Sequence, residues 1–384
     1  MEYRFKTAGT AFFGKNALES AESAIRALGN KALIVTGKVV TKTGMVDVLT
    51  EALDSWGIGY AIFNDLPGEP DDHMIKAGTA VYEKEGCDFL IGMGGGTPID
   101  SAKAISLYSA YHKDFSSYMG VSVTGDLPPV AAIPTTAGTG SEATKFFCVT
   151  DTATDTKLLL GGDSLLPDVA IVDPEFTLSS PKSVTAATGM DALTHAVESY
   201  TSKKANPITD LYAKDAVRRI FSCLPAAYED GHDKRAREQM ALAAYEAGVC
   251  INNASVTLVH GMSRPIGAIF HVPHGISNAM IIGQCLDFAL EGCPDRFADL
   301  GRVIGAAKEG DGPMQAGRAF IKAVERLAGE LNIPTLSGYG IDREKFFAAM
   351  SDMADAALAS GSPANTRRTV GKEDILRIYQ ALWQ

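Results

Sequence analysis

No segment of this 384-residue chain is rich in lysine and arginine, and the formal net charge is −11. An acidic chain without a basic patch argues against nucleic acid or an anionic membrane as the main partner. No apolar run reaches membrane-spanning length, and the opening Met1-Glu2-Tyr3-Arg4-Phe5-Lys6 has no apolar signal core. A cytoplasmic protein with no membrane partner is the expectation. Cys-x-x-Cys is missing too: the six cysteines, Cys87, Cys148, Cys223, Cys250, Cys285 and Cys293, are scattered. That excludes a zinc–thiolate site and a disulfide framework, and leaves small core residues. No internal repeat or low-complexity segment occurs.

Histidine is scarce but unevenly spread. Three of the seven histidines, His260, His271 and His274, fall within fifteen residues, and His195 follows Asp191 by four. Four residues is about one helical turn, so Asp191 and His195 project from one helix face. Two imidazoles from the downstream segment could complete a site of three nitrogens and one oxygen. That donor set suits Fe, Zn, Co, Ni or Mn. His73, His112 and His232 each stand apart among polar neighbours and read as ordinary side chains.

At 384 residues two domains are expected. The first half alternates strand and helix. Strands are expected at Lys31–Gly37, Tyr60–Phe63, Asp88–Met93, Pro129–Pro134 and Val169–Asp173, with helices at Val46–Trp56, Asp72–Glu85 and from about Ile99 to Tyr108. This pattern implies a parallel sheet covered on both faces. Phe146–Thr150 and Lys157–Leu160 flank a polar turn and read as a hairpin. After about Ser180 strand signals nearly vanish, and Ser183–Ser202, Thr209–Leu224 and Glu238–Asn252 are Ala-rich and helix-periodic. The expected division is an α/β domain at 1–180 and an all-helical domain at 181–384.

Gly94-Gly95-Gly96-Thr97 lies between an expected strand and an expected helix. Glycines let backbone N–H groups approach an anion, and the helix N-terminus adds partial positive charge. The segment reads as a phosphate or pyrophosphate cradle. It is not the usual Gly-x-Gly-x-x-Gly fingerprint, because counted from Gly92 the third glycine position is Thr97. Gly138-Thr139-Gly140-Ser141-Glu142-Ala143 matches a variant of that pattern, but strand follows it where helix is required. The hydroxyl-rich loop from Pro134 to Glu142 can still donate hydrogen bonds to a phosphate or a nicotinamide.

Four segments together are similar to the iron-containing (group III) alcohol dehydrogenase family along nearly the whole chain. They are Gly94-Gly95-Gly96-Thr97-Pro98-Ile99-Asp100, Pro134-Thr135-Thr136-Ala137-Gly138-Thr139-Gly140-Ser141-Glu142, Ala187-Thr188-Gly189-Met190-Asp191-Ala192-Leu193-Thr194-His195, and Pro273-His274-Gly275. The resemblance implies a Rossmann-like nucleotide-binding domain followed by a helical, dehydroquinate synthase-like metal-binding domain. It implies NAD(P)-dependent interconversion of small primary alcohols and aldehydes, with the metal polarising oxygen and hydride passing to nicotinamide C4. The metal ligands map onto Asp191, His195, His260 and His274, with Fe2+ favoured over Zn2+. The expected cofactor set is Gly37, Gly94, Gly95, Gly96, Thr97, Asp100, Thr135, Thr136, Thr139, Ser141 and Lys157. A homodimer or higher homo-oligomer is expected.

Two positions depart from the family pattern. Many members carry a histidine four residues after the third ligand, where this chain has Arg264. His271 then becomes the candidate for proton relay. Arg264 brings in an alternative: reduction of an aldehyde bearing a carboxylate, sulfonate or phosphonate. A glycerol- or propanediol-type diol dehydrogenase is the other alternative. After Val35-Thr36 the family often has an Asp that repels the 2′-phosphate of NADP; here Gly37 is followed by Lys38, with Lys42 nearby, so NADP acceptance is expected.

Overall fold

The structure is a computed structural model describing residues 3–154 and 156–383. It divides into two compact units, Lys6–Ser180 and Pro181–Gln384, the second also taking in Met1–Phe5.

Unit Lys6–Ser180 contains eight strands among its described residues: β1 (Thr10–Phe13), β2 (Lys31–Thr36), β3 (Gly59–Phe63), β4 (Phe89–Gly94), β5 (Val130–Pro134), β6 (Phe146–Asp151), β7 (Thr156–Gly161) and β8 (Val169–Val172). Its helices are α1 (Ala17–Ser20), α2 (Glu22–Arg26), α3 (Lys38–Lys42), α4 (Met45–Ser55), α5 (Asp72–Lys84) and α6 (Gly96–Tyr111). Six strands form one parallel sheet in the order β1-β8-β5-β4-β2-β3. β6 and β7 pair antiparallel as the expected hairpin. Alternate residues of each central strand serve opposite faces. Ile34, Ile91 and Ile133 join one core with Leu49, Leu53 and Trp56. Leu33, Val35 and Leu90 join another with Ile75, Ile105 and Leu107. A sheet buried on both sides explains why these strands read as unbroken apolar runs.

Two differences from the sequence reading stand out. β1, a four-residue edge strand pairing Thr10–Phe13 with Val169–Val172, was not expected. α6 begins at Gly96, three residues before the expected start. Pro98 in that first turn costs nothing, because first-turn N–H groups lack intrahelical partners anyway.

From Pro181 onward the described residues are helical: α7 (Lys182–Thr201), α8 (Pro207–Glu229), α9 (Lys234–Ala254), α10 (Leu258–Phe270), α11 (His274–Leu290), α12 (Pro294–Val303), α13 (Pro313–Glu330), α14 (Leu336–Tyr339), α15 (Arg343–Ala359) and α16 (Lys372–Ala381). Among the described residues no helix is long and apolar enough to cross a membrane. Small residues set the spacing. A Cβ at Gly189 would meet Leu224 at 2.4 Å, and one at Gly261 would meet Pro363 at 2.6 Å. Tyr379, wholly buried, donates to the Met262 carbonyl at 2.7 Å and pins α10 two residues past His260.

Candidate metal centre and nucleotide cradle

Asp191 and His195 occupy successive turns of the buried α7, His260 lies in the first turn of α10, and His274 opens α11. Three helices thus bring four side chains from 84 residues of chain to one point. Gly275 makes this possible. A Cβ there would stand 2.5 Å from the Ala187 carbonyl oxygen, one turn before Asp191, so only glycine lets the start of α11 lie against α7. The Nε2 atoms of His195, His260 and His274 stand 3.7, 3.8 and 3.7 Å from the same Asp191 Oδ1. The four ligand atoms all lie within 4.8 Å of one another. Asp191, His195 and His260 are buried, while His274 is partly exposed and leaves the cluster accessible on its side.

Burial by itself would raise the Asp191 pKa, but the three imidazoles and a hydrogen bond from Asn278 outweigh it and hold the carboxyl below its usual range. Burial, aided by the neighbouring His195, drives the His260 pKa well down and keeps its ring neutral. One carboxylate oxygen beside three imidazole nitrogens is the donor set a divalent transition metal takes. A second carboxylate, Glu198, is fully buried and lies 2.5 Å from His260 Nδ1. Asn278, one turn after His274, donates to Asp191 Oδ1 at 2.8 Å and approaches Nε2 of both His260 and His274 at 3.2 Å. The residues present therefore fit a divalent metal: its charge would offset two buried carboxylates.

The other unit carries the glycine turn that the sequence reads as an anion cradle. Chain order along the sheet reverses between β2 and β4, and ligands of open α/β sheets bind outside the carboxyl ends of strands at such a switch point. Gly37 follows β2 there, and Gly94 ends β4 with Gly95–Thr97 after it. Thr36 Oγ1 donates to the Met93 carbonyl at 2.8 Å and ties the two strand ends together. Gly94 has φ +154°, and a Cβ on it would meet Pro98 at 2.5 Å, so the turn itself demands glycine. Gly95 is different: a Cβ there would make only ordinary contact, 3.5 Å from Thr136 Oγ1. At Gly96 it would face Thr139 at 3.3 Å and Ser141 at 3.5 Å. The glycine turn and the 135–141 loop are thus face to face, joined where Thr135 N–H donates to the Gly94 carbonyl at 2.8 Å. Thr136 Oγ1 is buried without a protein partner, as a hydroxyl reserved for a ligand would be.

Residues 8–174 match the family described as iron-containing alcohol dehydrogenase, and residues 185–383 match the C-terminal part of the Fe-containing alcohol dehydrogenase family. The chain belongs to the iron-containing alcohol dehydrogenase family. It is 37% identical over 374 residues to the 1,3-propanediol dehydrogenase of Citrobacter freundii, covering 96% of each chain. Its fold matches a crystal structure of 1,3-propanediol oxidoreductase with TM-score 0.96, 36% identity and full coverage of both chains. It also matches the sulfoacetaldehyde reductase of Bifidobacterium kashiwanohense, solved with NAD+, at TM-score 0.88 and 28% identity over 100% of this chain and 99% of that one. The protein is therefore an oxidoreductase acting on CH–OH groups of alcohols, with the aldehyde as the oxidised partner.

Within this alcohol dehydrogenase the remaining sequence candidates fall in varied places. Asp100 accepts from the Cys148 N–H at 3.0 Å and ties α6 to β6. Lys157 is exposed on β7 and pairs with Glu69 at 2.7 Å rather than with the cradle. Lys38 pairs with Asp65 at 2.7 Å. His112 is paired with Glu83 at 3.1 Å rather than standing alone. Arg264 lies one turn past His260 on α10, half-buried, and donates to Ser362 Oγ at 3.2 Å. His271 caps α10 in a left-handed conformation, φ +52°, and is exposed; it is not part of the four-residue cluster.

Sequence reading missed Glu198 and Asn278. Helical spacing held the signal for both, since Glu198 is seven residues after Asp191 and Asn278 four after His274. It also missed Lys103, a wholly buried lysine whose Nζ donates to the carbonyls of Ser141, Thr144 and Phe146 at 2.6–3.0 Å. Burial lowers the Lys103 pKa to about 8. That ammonium fastens the hydroxyl loop to α6, and a lysine in a helix carries no sequence mark of burial.

Proposed function

We propose that Asp191, His195, His260 and His274 hold one divalent metal ion, Fe2+ first and Zn2+ as the alternative, and that Gly94–Thr97 receives the pyrophosphate of NAD(P)H. The observation that carries the metal reading is the convergence of three Nε2 atoms on a single carboxylate oxygen within 3.8 Å. When bound, the metal supplies Lewis acidity toward the alcohol or carbonyl oxygen, and the dinucleotide supplies or accepts the hydride. Asp191 contributes the charge that holds the ion. Partly exposed His274 leaves room for a substrate oxygen. First-turn N–H groups of α6 and the hydroxyls of Thr136, Thr139 and Ser141 bind phosphate. Removal of metal by chelation should abolish turnover, and Fe2+ or Zn2+ should restore it. Undiminished turnover after chelation contradicts the reading.

Small primary alcohols and short diols are the proposed substrates, as the resemblance to 1,3-propanediol dehydrogenases supports. NADP is proposed to be accepted beside NAD. Residue 37 offers no carboxylate, a Cβ there would meet nothing within 4 Å, and Lys42 is exposed nearby. Lys38 belongs to an exposed pair, which holds it weakly. Comparing kcat/KM for NADPH and NADH tests this; an NADH preference of about a hundredfold or more, some 2.7 kcal/mol, counts against it.

A second reading, reduction of aldehydes carrying an anionic group, is favoured by Arg264. The guanidinium is half-buried, one turn from His260, and its bond in the structure is to a neutral hydroxyl. Among the described residues no carboxylate pairs with it. A planar fork that stays charged suits a carboxylate, sulfonate or phosphonate, with His271 as the proton-relay candidate. Neutral and anionic short aldehydes compared on wild type and Arg264→His decide the matter. Loss of an anionic preference in the variant is expected; no preference in the wild type ends this reading.

A cytoplasmic homodimer or higher homo-oligomer is proposed as the working form. All six cysteines remain thiols, which suits a reducing compartment. Exposed Ile208 and Leu211 beside Tyr212, which stacks on Phe5, offer an apolar surface for self-association.

A further inference from the structure

Resting on the metal reading above, we infer that Glu198 is the positioning residue that fixes the His260 tautomer and thereby sets metal affinity. Glu198 lies on α7, three residues after His195 and seven after Asp191, on the face that carries both. It is 0% exposed. Its Oε1 accepts from Thr257 Oγ1 at 2.7 Å and from Val259 N–H at 2.6 Å, while Oε2 lies 2.5 Å from His260 Nδ1. With Oε1 taken up by two donors, Oε2 is placed to accept from His260 Nδ1–H. The lone pair is then on Nε2, the atom that faces Asp191.

Asn278 reaches the same conclusion from the opposite side of the ring. Its Oδ1 is taken by the Ser263 hydroxyl, and its Nδ2 donates to Asp191 Oδ1 at 2.8 Å. Flipping the amide would set Oδ1 against the carboxylate, so the assignment is fixed by the network. That Nδ2 keeps one hydrogen after Asp191 and stands 3.2 Å from Nε2 of both His260 and His274, so a hydrogen on His260 Nε2 would face a donor. Two independent partners thus assign one tautomer. A carboxylate holding the far nitrogen of a ligating imidazole also raises its basicity and locks its orientation.

Glutamine at 198 cannot reproduce this. If its carbonyl oxygen accepts from Nδ1, its amide N–H groups face the Val259 N–H; if reversed, they face Nδ1–H. Either choice sets donor against donor. The test uses the full chain stripped of metal, with Co2+ as the probe in competition with a chromophoric chelator, and 15N NMR of the metal-free histidines as a readout independent of loading. Glu198→Gln should weaken Co2+ binding about 10–100-fold, the usual scale for an outer hydrogen-bond partner. It should also raise the Nε2–H tautomer of His260. Glu198→Asp, which keeps the charge and loses reach, should fall between the two and remains available if the glutamine chain does not fold. Equal Co2+ affinity in wild type and both variants would overturn the inference alone. Failure of the wild type to take up Co2+ would overturn the metal reading and the inference with it, while the NMR tautomer would still report the Glu198–His260 bond.

Discussion

Single glycines carry unlike duties in this chain, and the structure separates them. Gly94 and Gly275 are dictated by backbone, the first by φ +154° and Pro98, the second by the Ala187 carbonyl 2.5 Å from any Cβ. Gly95 has an ordinary φ of −74° and space for a methyl group, so the protein alone does not require glycine there. A bound pyrophosphate does, because a Cβ would hold it away from the N–H groups. Gly95→Ala should therefore keep its melting temperature and raise the cofactor KM by about tenfold or more, roughly 1.4 kcal/mol of lost binding. A variant with unchanged cofactor KM would show that the phosphate lies elsewhere. Histidines divide in a similar way. The meeting of His195, His260 and His274 at Asp191 was legible because spacing and family motif agreed on them. His271 shared their segment but caps a helix at the surface, since the chain must turn between α10 and α11.

At the scale of elements, the central strands were legible because burial on both faces makes them continuous apolar runs: Ala32–Val35, Phe89–Ile91 and Ala131–Ile133 are all buried. β1 was not, since four residues at a sheet edge with Phe13 46% exposed show neither a run nor a clean alternation. The start of α6 was hidden by glycine and proline, which normally end helices but here form a first turn. α9 illustrates a cost that sequence does not display. Glu246 faces α8 from within the helix pair, and burial, reinforced by Asp215, pushes its carboxyl up to about 8. Arg219 stands 3.5 Å from it but is turned toward Asp215 at 2.7 Å. A folded-state pKa above the ordinary 4.5 means that the native chain holds a proton which the unfolded chain has released. Stability therefore falls as pH rises from about 4.5 to about 8, and the loss is complete above that window. Glu246→Gln should melt a few degrees higher than wild type at pH 9, with the gap closing toward pH 5. Parallel melting curves across this range would mean that the carboxylate is better solvated than its position implies.

For the molecule as a whole, the division of labour follows composition. An alternating α/β half offers strand ends and a helix N-terminus beside a glycine turn. A helical half offers buried faces on which Asp191, His195, His260 and His274 meet from distant points of the chain. The reaction class was readable from motifs in both halves because ligand spacing and glycine turns are local. The residues that support the cluster and the hydroxyl loop were not, because Glu198 and Lys103 acquire their roles only when other helices and loops close around them. The cluster buries Asp191 and Glu198 among imidazoles, one of them driven well below its usual pKa, and a divalent ion is the natural counter-charge. The most direct test is metal content per chain, read beside turnover, for wild type and His260→Ala purified without oxygen. The account predicts about one divalent ion per active wild-type chain, and a folded His260→Ala chain that has lost both metal and turnover. Full turnover by a chain carrying no metal would contradict it.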